Sequence, residues 1–106
     1  MTELITMRPT QIELVQLLES ASRHCGGKLA MVEVGSYQGE SMEIFAKSGM
    51  VKKIVCVDPW KPGYDKHDIA SKSDMVEVEK AFDERAASVK DYADVVKHKG
   101  TLDTFI

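Results

Sequence analysis

Hydrophobic and polar positions along this chain change period several times, and each change marks an element. Leu14, Leu17, Leu18 and Ala21 recur at helical spacing behind Thr10-Gln11-Ile12-Glu13, a capping-box pattern with Pro9 just ahead of it. They predict an amphipathic helix over residues 10–24, its leucines packed into the core and its end set by Gly26-Gly27. Residues 1–8 give no clear period. Leu29 to Val34 is short and nearly all apolar, as expected of a parallel strand covered on both faces. Met42, Phe45 and Ala46 then mark the buried side of a short helix that ends near Gly49. Lys52-Lys53 lead into a second apolar run, Ile54-Val55-Cys56-Val57, closed by Asp58. Two such strands joined by a helix make a βαβ unit, right-handed almost without exception.

From Asp58 to Ser73 the pattern is polar, with Pro59, Pro62, Gly63 and Asp65-Lys66-His67-Asp68. Loops of this length are usually functional or disordered. Asp74 and Glu77 form a second capping box, and Met75, Val78, Ala81, Phe82, Ala86 and Val89 carry a helix to about residue 90. Asp94 to Lys99 reads as a third strand, an edge because it is more polar; Gly100-Thr101 closes it and Leu102 to Ile106 begins another helix. There is no internal repeat. The whole is a single α/β domain over residues 1–106.

Composition narrows the function classes. At 106 residues one hydrophobic core is the natural expectation. The net charge is −3 and the lysines and arginines are scattered, which argues against a nucleic-acid partner held by its phosphates. No apolar segment approaches the roughly 20 residues a membrane span needs. The N-terminus lacks a basic flank followed by an apolar core, so no signal peptide is expected. Two cysteines make no disulfide framework: Cys56 sits inside a strand and Cys25 precedes Gly-Gly. A reduced, cytoplasmic setting follows as the expectation.

The candidate chemistry lies where the first strand meets the first crossover helix. Glu33 ends an apolar run, Gly35 and Gly39 follow four apart, and helical periodicity starts at once. Glycine lets the backbone approach a ligand, and the N–H groups of a helix start attract polar or anionic groups. Asp58 stands nineteen positions after Gly39, at the tip of the second strand, where a carboxylate accepts hydrogen bonds from ribose hydroxyls. A nucleoside-containing ligand is the expectation.

These residues, Glu33-Val34-Gly35-Ser36-Tyr37-Gln38-Gly39-Glu40-Ser41, then Val57-Asp58-Pro59-Trp60, then Lys99-Gly100-Thr101, resemble the class I S-adenosylmethionine-dependent methyltransferases. The likeness is to the branch reading E-x-G-S-x-x-G-x-S with a second strand ending D-P-W, and it runs from about residue 29 to 106. It implies a three-layer, Rossmann-like α/β sandwich with a short parallel sheet of order 3-2-1, truncated relative to the full family domain. It also implies S-adenosyl-L-methionine as cofactor. Gly35, Gly39, Ser36 and Tyr37 would cradle the methionine part, and Glu33 would hold the turn or meet the amino group. Asp58 would bind the ribose hydroxyls, Pro59 and Trp60 would border the adenine, and Gly100 and Thr101 would form another wall beside it.

The strands that carry the family's acceptor chemistry are not encoded, so no catalytic residue is assigned and the chain by itself is expected to be incomplete for methyl transfer to a small-molecule acceptor. The alternative is a non-catalytic module that self-associates or binds a partner through the open edge of its first strand, and a homodimer or partner subunit across that edge is expected. A nicotinamide dinucleotide fits less well, because Tyr37 occupies the position where G-x-G-x-x-G places its pyrophosphate-approach glycine. No metal site is expected. His67 between Asp65 and Asp68 reads as solvated, His24 beside Cys25 lacks a second ligand pair, and His98 reads as packing or a hydrogen bond.

Overall fold

A computed structural model of the chain describes residues 9–61 and 74–105. Its elements, in chain order, are α1 (Pro9–Cys25), β1 (Leu29–Val34), α2 (Glu40–Lys47), β2 (Val51–Asp58), α3 (Met75–Ser88), β3 (Asp94–Lys99) and α4 (Leu102–Phe105). The three strands form one parallel sheet in the order β1-β2-β3, with β2 at its centre. The expected order and the α/β class are therefore present. Residues 62–73, with Asp65, His67 and Asp68, on which most of the expected polar loop falls, lie outside the described residues.

The core forms where α2 and α3 cover the sheet. Met42, Phe45 and Ala46 from α2, Ile54 and Cys56 from β2, and Met75, Val78 and Phe82 from α3 are buried together. Asp74 caps α3, its Oδ1 accepting from the backbone N–H groups of Val76 at 3.1 Å and Glu77 at 3.4 Å. Such a cap contributes about 1 kcal/mol to a helix. Arg85 of α3 reaches Glu43 of α2 at 3.3 Å, and Lys97 of β3 lies between Glu79 and Asp83 of α3.

Two expectations need correction. The first concerns α1. The helix is already under way at Pro9, its first described residue, so Thr10 falls inside it and not at the cap. Leu18 is buried, but Leu14 is 43% exposed and Leu17 68% exposed. The packing stripe runs instead through Gln11, Val15, Leu18 and Ser22, which recur at helical spacing. The helix is turned so that this polar-edged stripe meets α2 and β1, leaving two of the three leucines outside.

The second concerns β1. Its residues alternate between half-buried and exposed along the strand, and it is not covered on both faces. Leu29 and Met31 pack on the core, whereas Val32 is 47% exposed and Val34 59% exposed. The physical reason is position: β1 is the outer strand of a sheet whose described helices supply a core to the face that carries Leu29 and Met31. No helix among the described residues is long and apolar enough to cross a membrane.

Candidate functional site

All three sequence motifs arrive at the same end of the sheet. The parallel register pairs Val34 with Val57 and Asp58 with Lys99, so the residues that follow β1 and β3 flank the tip of β2. Hydrogen bonds continue past the strand ends. Gly35 N–H donates to the Val57 carbonyl at 2.8 Å, and Gly100 N–H donates to the Asp58 carbonyl at 3.0 Å. The turn after β1 and the turn after β3 are thereby fixed to the central strand.

Between β1 and α2 the chain makes a tight turn closed by Gly39 N–H to the Ser36 carbonyl at 2.8 Å. Gly35, Tyr37 and Gly39 all have positive φ, at +80°, +52° and +81°. The two glycines answer different demands. A Cβ on Gly35 would meet open space, so only its backbone angle requires glycine. A Cβ on Gly39 would lie 3.0 Å from the Phe82 ring and 3.0 Å from Met42 Cε, so this glycine also lets α3 close on the start of α2.

An open cleft of about 240 Å³ sits over this turn, lined by Glu33, Gly35, Ser36, Tyr37, Gln38, Glu40 and Ser41. Typical small-molecule pockets hold about 300–1,000 Å³, so this cleft suits an amino-acid-sized group better than a whole dinucleotide. One side of it is the N-terminus of α2. Gly39 caps that helix and, as a glycine, brings no side chain to the N–H groups of its first turn. The other side carries Glu33. Its Oε1 is buried and has no hydrogen-bond partner among the described residues. Burial pushes the Glu33 carboxyl above the ordinary range; the nearby Ser36 hydroxyl opposes that and the Asp58 charge adds to it. A buried, unpartnered carboxylate oxygen is a costly feature that a cationic donor would relieve.

Asp58 occupies a different position from Glu33. It is buried at the tip of β2, where its Oδ2 accepts from Tyr37 N–H at 3.0 Å and its Oδ1 from Trp60 N–H at 2.8 Å. Trp60 turns back into the core. Its ring packs on Phe82 with centroids 4.7 Å apart, Lys97 Nζ lies 5.1 Å from its centre, and its Nε1–H donates to the Tyr37 carbonyl at 2.8 Å. Pro59 is half-buried beside it. Gly100 and Thr101 belong to the same sheet end but do not line the cleft. A Cβ on Gly100 would lie 2.5 Å from Thr104 Oγ1, so its glycine makes room for α4. His98 Nε2 meets that same hydroxyl at 3.0 Å, the hydrogen bond expected of it.

The structure thus brings Glu33, Gly35, Ser36 and Tyr37 together around the cleft and keeps Gly39 behind it, while Asp58, Pro59 and Trp60 brace the turn from the neighbouring strand. Gln38, Glu40 and Ser41 are cleft residues that the motif did not assign. The helical start immediately after Gly39 was the available signal, since the first positions of a helix share the side its turn faces. Among the described residues no group of three His, Cys, Asp or Glu side chains is arranged to hold a metal ion. Cys56 is buried, and burial pushes its thiol up to about 11, which leaves it protonated and unreactive at neutral pH. Comparison with protein-family models, with curated proteins and with solved structures finds no match for this chain.

Proposed function

We propose that this chain is the cofactor-binding portion of an S-adenosyl-L-methionine-dependent methyltransferase of Rossmann-like, three-layer type, acting on a small-molecule acceptor. The observation that carries the reading is the meeting, at one small cleft, of a buried Glu33 oxygen with no hydrogen-bond partner among the described residues and the N-terminus of α2, whose cap is a glycine. An α-amino acid has the complementary chemistry. Its ammonium suits Glu33, and its carboxylate suits the N–H groups at the helix start. Gly35, with open space where a Cβ would stand, leaves room for such a group to lie against the backbone. Asp58, Pro59 and Trp60, with Gly100 and Thr101, border the nucleoside side.

Glu33 and Glu40 both line the cleft, and two carboxylates there favour a cationic ligand over a pyrophosphate. Bound S-adenosylmethionine supplies an electrophilic methyl group. The chain's own residues orient the cofactor: Glu33 fixes the amino group, and the turn at Ser36 and Tyr37 sets the depth to which the amino-acid end enters. Positioning of this kind is most of what methyl transfer requires of a protein.

Calorimetric titration with S-adenosylmethionine and S-adenosylhomocysteine tests the reading. Micromolar binding that Glu33→Gln weakens by about tenfold or more supports it. No heat at millimolar ligand sinks it.

A second reading rests on β1. Its outer backbone edge carries no strand partner among the described residues, and Val32 and Val34 are exposed beside that edge. Such a strand suits a non-catalytic module that pairs with a second copy or a partner chain. Light scattering decides this: a stable dimer that Val34→Lys converts to monomer favours the reading, and a monomer at micromolar concentration removes it.

A further inference from the structure

Tyr37 and Trp60 are the non-glycine residues with positive φ among the described residues, at +52° and +43°. An L-residue in this region is strained by about 1–2 kcal/mol, so the surroundings must hold it there. One side chain does so for both. Each oxygen of the Asp58 carboxylate accepts a backbone N–H, Oδ2 from Tyr37 at 3.0 Å and Oδ1 from Trp60 at 2.8 Å. The Trp60 indole closes the ring of contacts by donating to the Tyr37 carbonyl at 2.8 Å. Asp58 is only 8% exposed, and its own carbonyl accepts from Gly100 N–H.

We propose that Asp58 is a positioning residue: it acts through the backbone of Tyr37, clamping the cleft turn to the strand tip, and does not itself bind the ribose hydroxyls. The proposal rests on the reading of the cleft as the seat of the amino-acid end of S-adenosylmethionine. A ribose-binding carboxylate needs lone pairs open to the ligand. Here each oxygen already accepts one backbone N–H and the group is only 8% exposed, so little of its remaining acceptor capacity faces a ligand, whereas the peptide unit it holds belongs to a residue that lines the cleft. Asparagine at this position would keep one acceptor but turn an amide N–H toward one of the two backbone N–H groups. One of the strained residues would then lose its hold.

The test compares S-adenosylhomocysteine, which fills both ends of the site, with adenosine, which carries the ribose but no amino acid. The proteins are wild type, Asp58→Asn, Tyr37→Gly and the double variant. The clamp predicts that Asp58→Asn weakens S-adenosylhomocysteine about tenfold while adenosine changes by less than about twofold. It also predicts that Tyr37→Gly in the Asp58→Asn background restores most of the lost affinity, because glycine adopts φ +52° without being held.

Equal loss for both ligands, or no rescue by Tyr37→Gly, overturns the proposal and leaves the cofactor reading standing. Wild-type protein that binds neither ligand overturns both. If Asp58→Asn alone fails to fold, the double variant decides: a folded double variant that binds S-adenosylhomocysteine supports the clamp, and one that does not bind it refutes the clamp. Trp60 is the single tryptophan, so its emission reports in the same samples whether the indole is still seated.

Discussion

The indole N–H of Trp60 donates to the main-chain carbonyl of Tyr37 across 2.8 Å, joining the turn after β2 to the turn after β1. These residues lie 23 positions apart in the chain. Trp60 is therefore a core residue with a polar handle on the candidate site, since a buried indole N–H requires an acceptor.

Replacing Trp60 with phenylalanine keeps the ring against Phe82 but removes that donor and part of the packed area. The Tyr37 carbonyl loses its partner, and the expected destabilisation is about 1–3 kcal/mol. Urea melts followed by circular dichroism measure it, because the variant has no tryptophan to report. A change below a few tenths of a kcal/mol would mean that water replaces the indole at no net cost.

The two turn glycines separate strain from crowding. Gly35→Ala meets only the backbone penalty of a positive φ, about 1–2 kcal/mol. Gly39→Ala meets the same penalty and also the Phe82 ring, for about 1–3 kcal/mol more. Thermal melts of the two variants should rank them in that order. Phe82→Leu should recover part of the Gly39→Ala loss and none of the Gly35→Ala loss.

Glu33 gives the fold a pH dependence of definite sign. Burial raises its native pKa above the ordinary carboxylate value, partly opposed by Ser36 and reinforced by Asp58. The native protein therefore keeps a proton where the unfolded chain has lost it. Stability falls as pH rises from the ordinary carboxylate range through the raised native value, and levels off above it. In Glu33→Gln this fall is absent, so its urea midpoint gains on wild type as pH rises above the ordinary carboxylate range, until the raised native value has been passed. A bound ammonium group favours the charged carboxylate, so ligand binding inside that window releases a proton, measurable as a buffer-dependent heat.

The cysteines provide a check on the packing of β2. Cys25 is exposed at the end of α1, and Cys56 is buried with its thiol raised to about 11. Alkylation of native protein at about pH 8 should modify one thiol quickly and the second only after denaturant is added. Two thiols reacting at equal rates would contradict the placement of Cys56.

How much of this was legible in the sequence depends on how local the determining physics is. The α3 cap at Asp74 and the strands closing at Asp58 and Lys99 depend on near neighbours and were readable. The orientation of α1 was not, because Leu14 and Leu18 are equally apolar and only the docking partner chooses between the stripes. Nor was the fate of Trp60 readable: a D-P-W run does not reveal that its ring seeks Phe82 and its N–H seeks Tyr37. The motif pointed to Glu33 and the glycine turn, but Gly39 is required by a contact with α3 that lies 43 positions further along. For Asp58, the motif places a carboxylate at the strand tip, and the structure adds which backbone N–H groups its oxygens accept.

The hydrogen bonds from Gly35 to Val57 and from Gly100 to Asp58 prolong the ladder by one rung beyond each outer strand. The consequence concerns the lengths of these turns. A side chain at Gln38 or Ser41 can be exchanged without disturbing a rung, so the cleft can be retuned by substitution. Adding or removing one residue between Gly35 and Gly39 would change which N–H meets the Asp58 carboxylate and re-aim the groups above it. This corner of the molecule should therefore accept changes of chemistry far more readily than insertions or deletions, although surface turns elsewhere usually tolerate both.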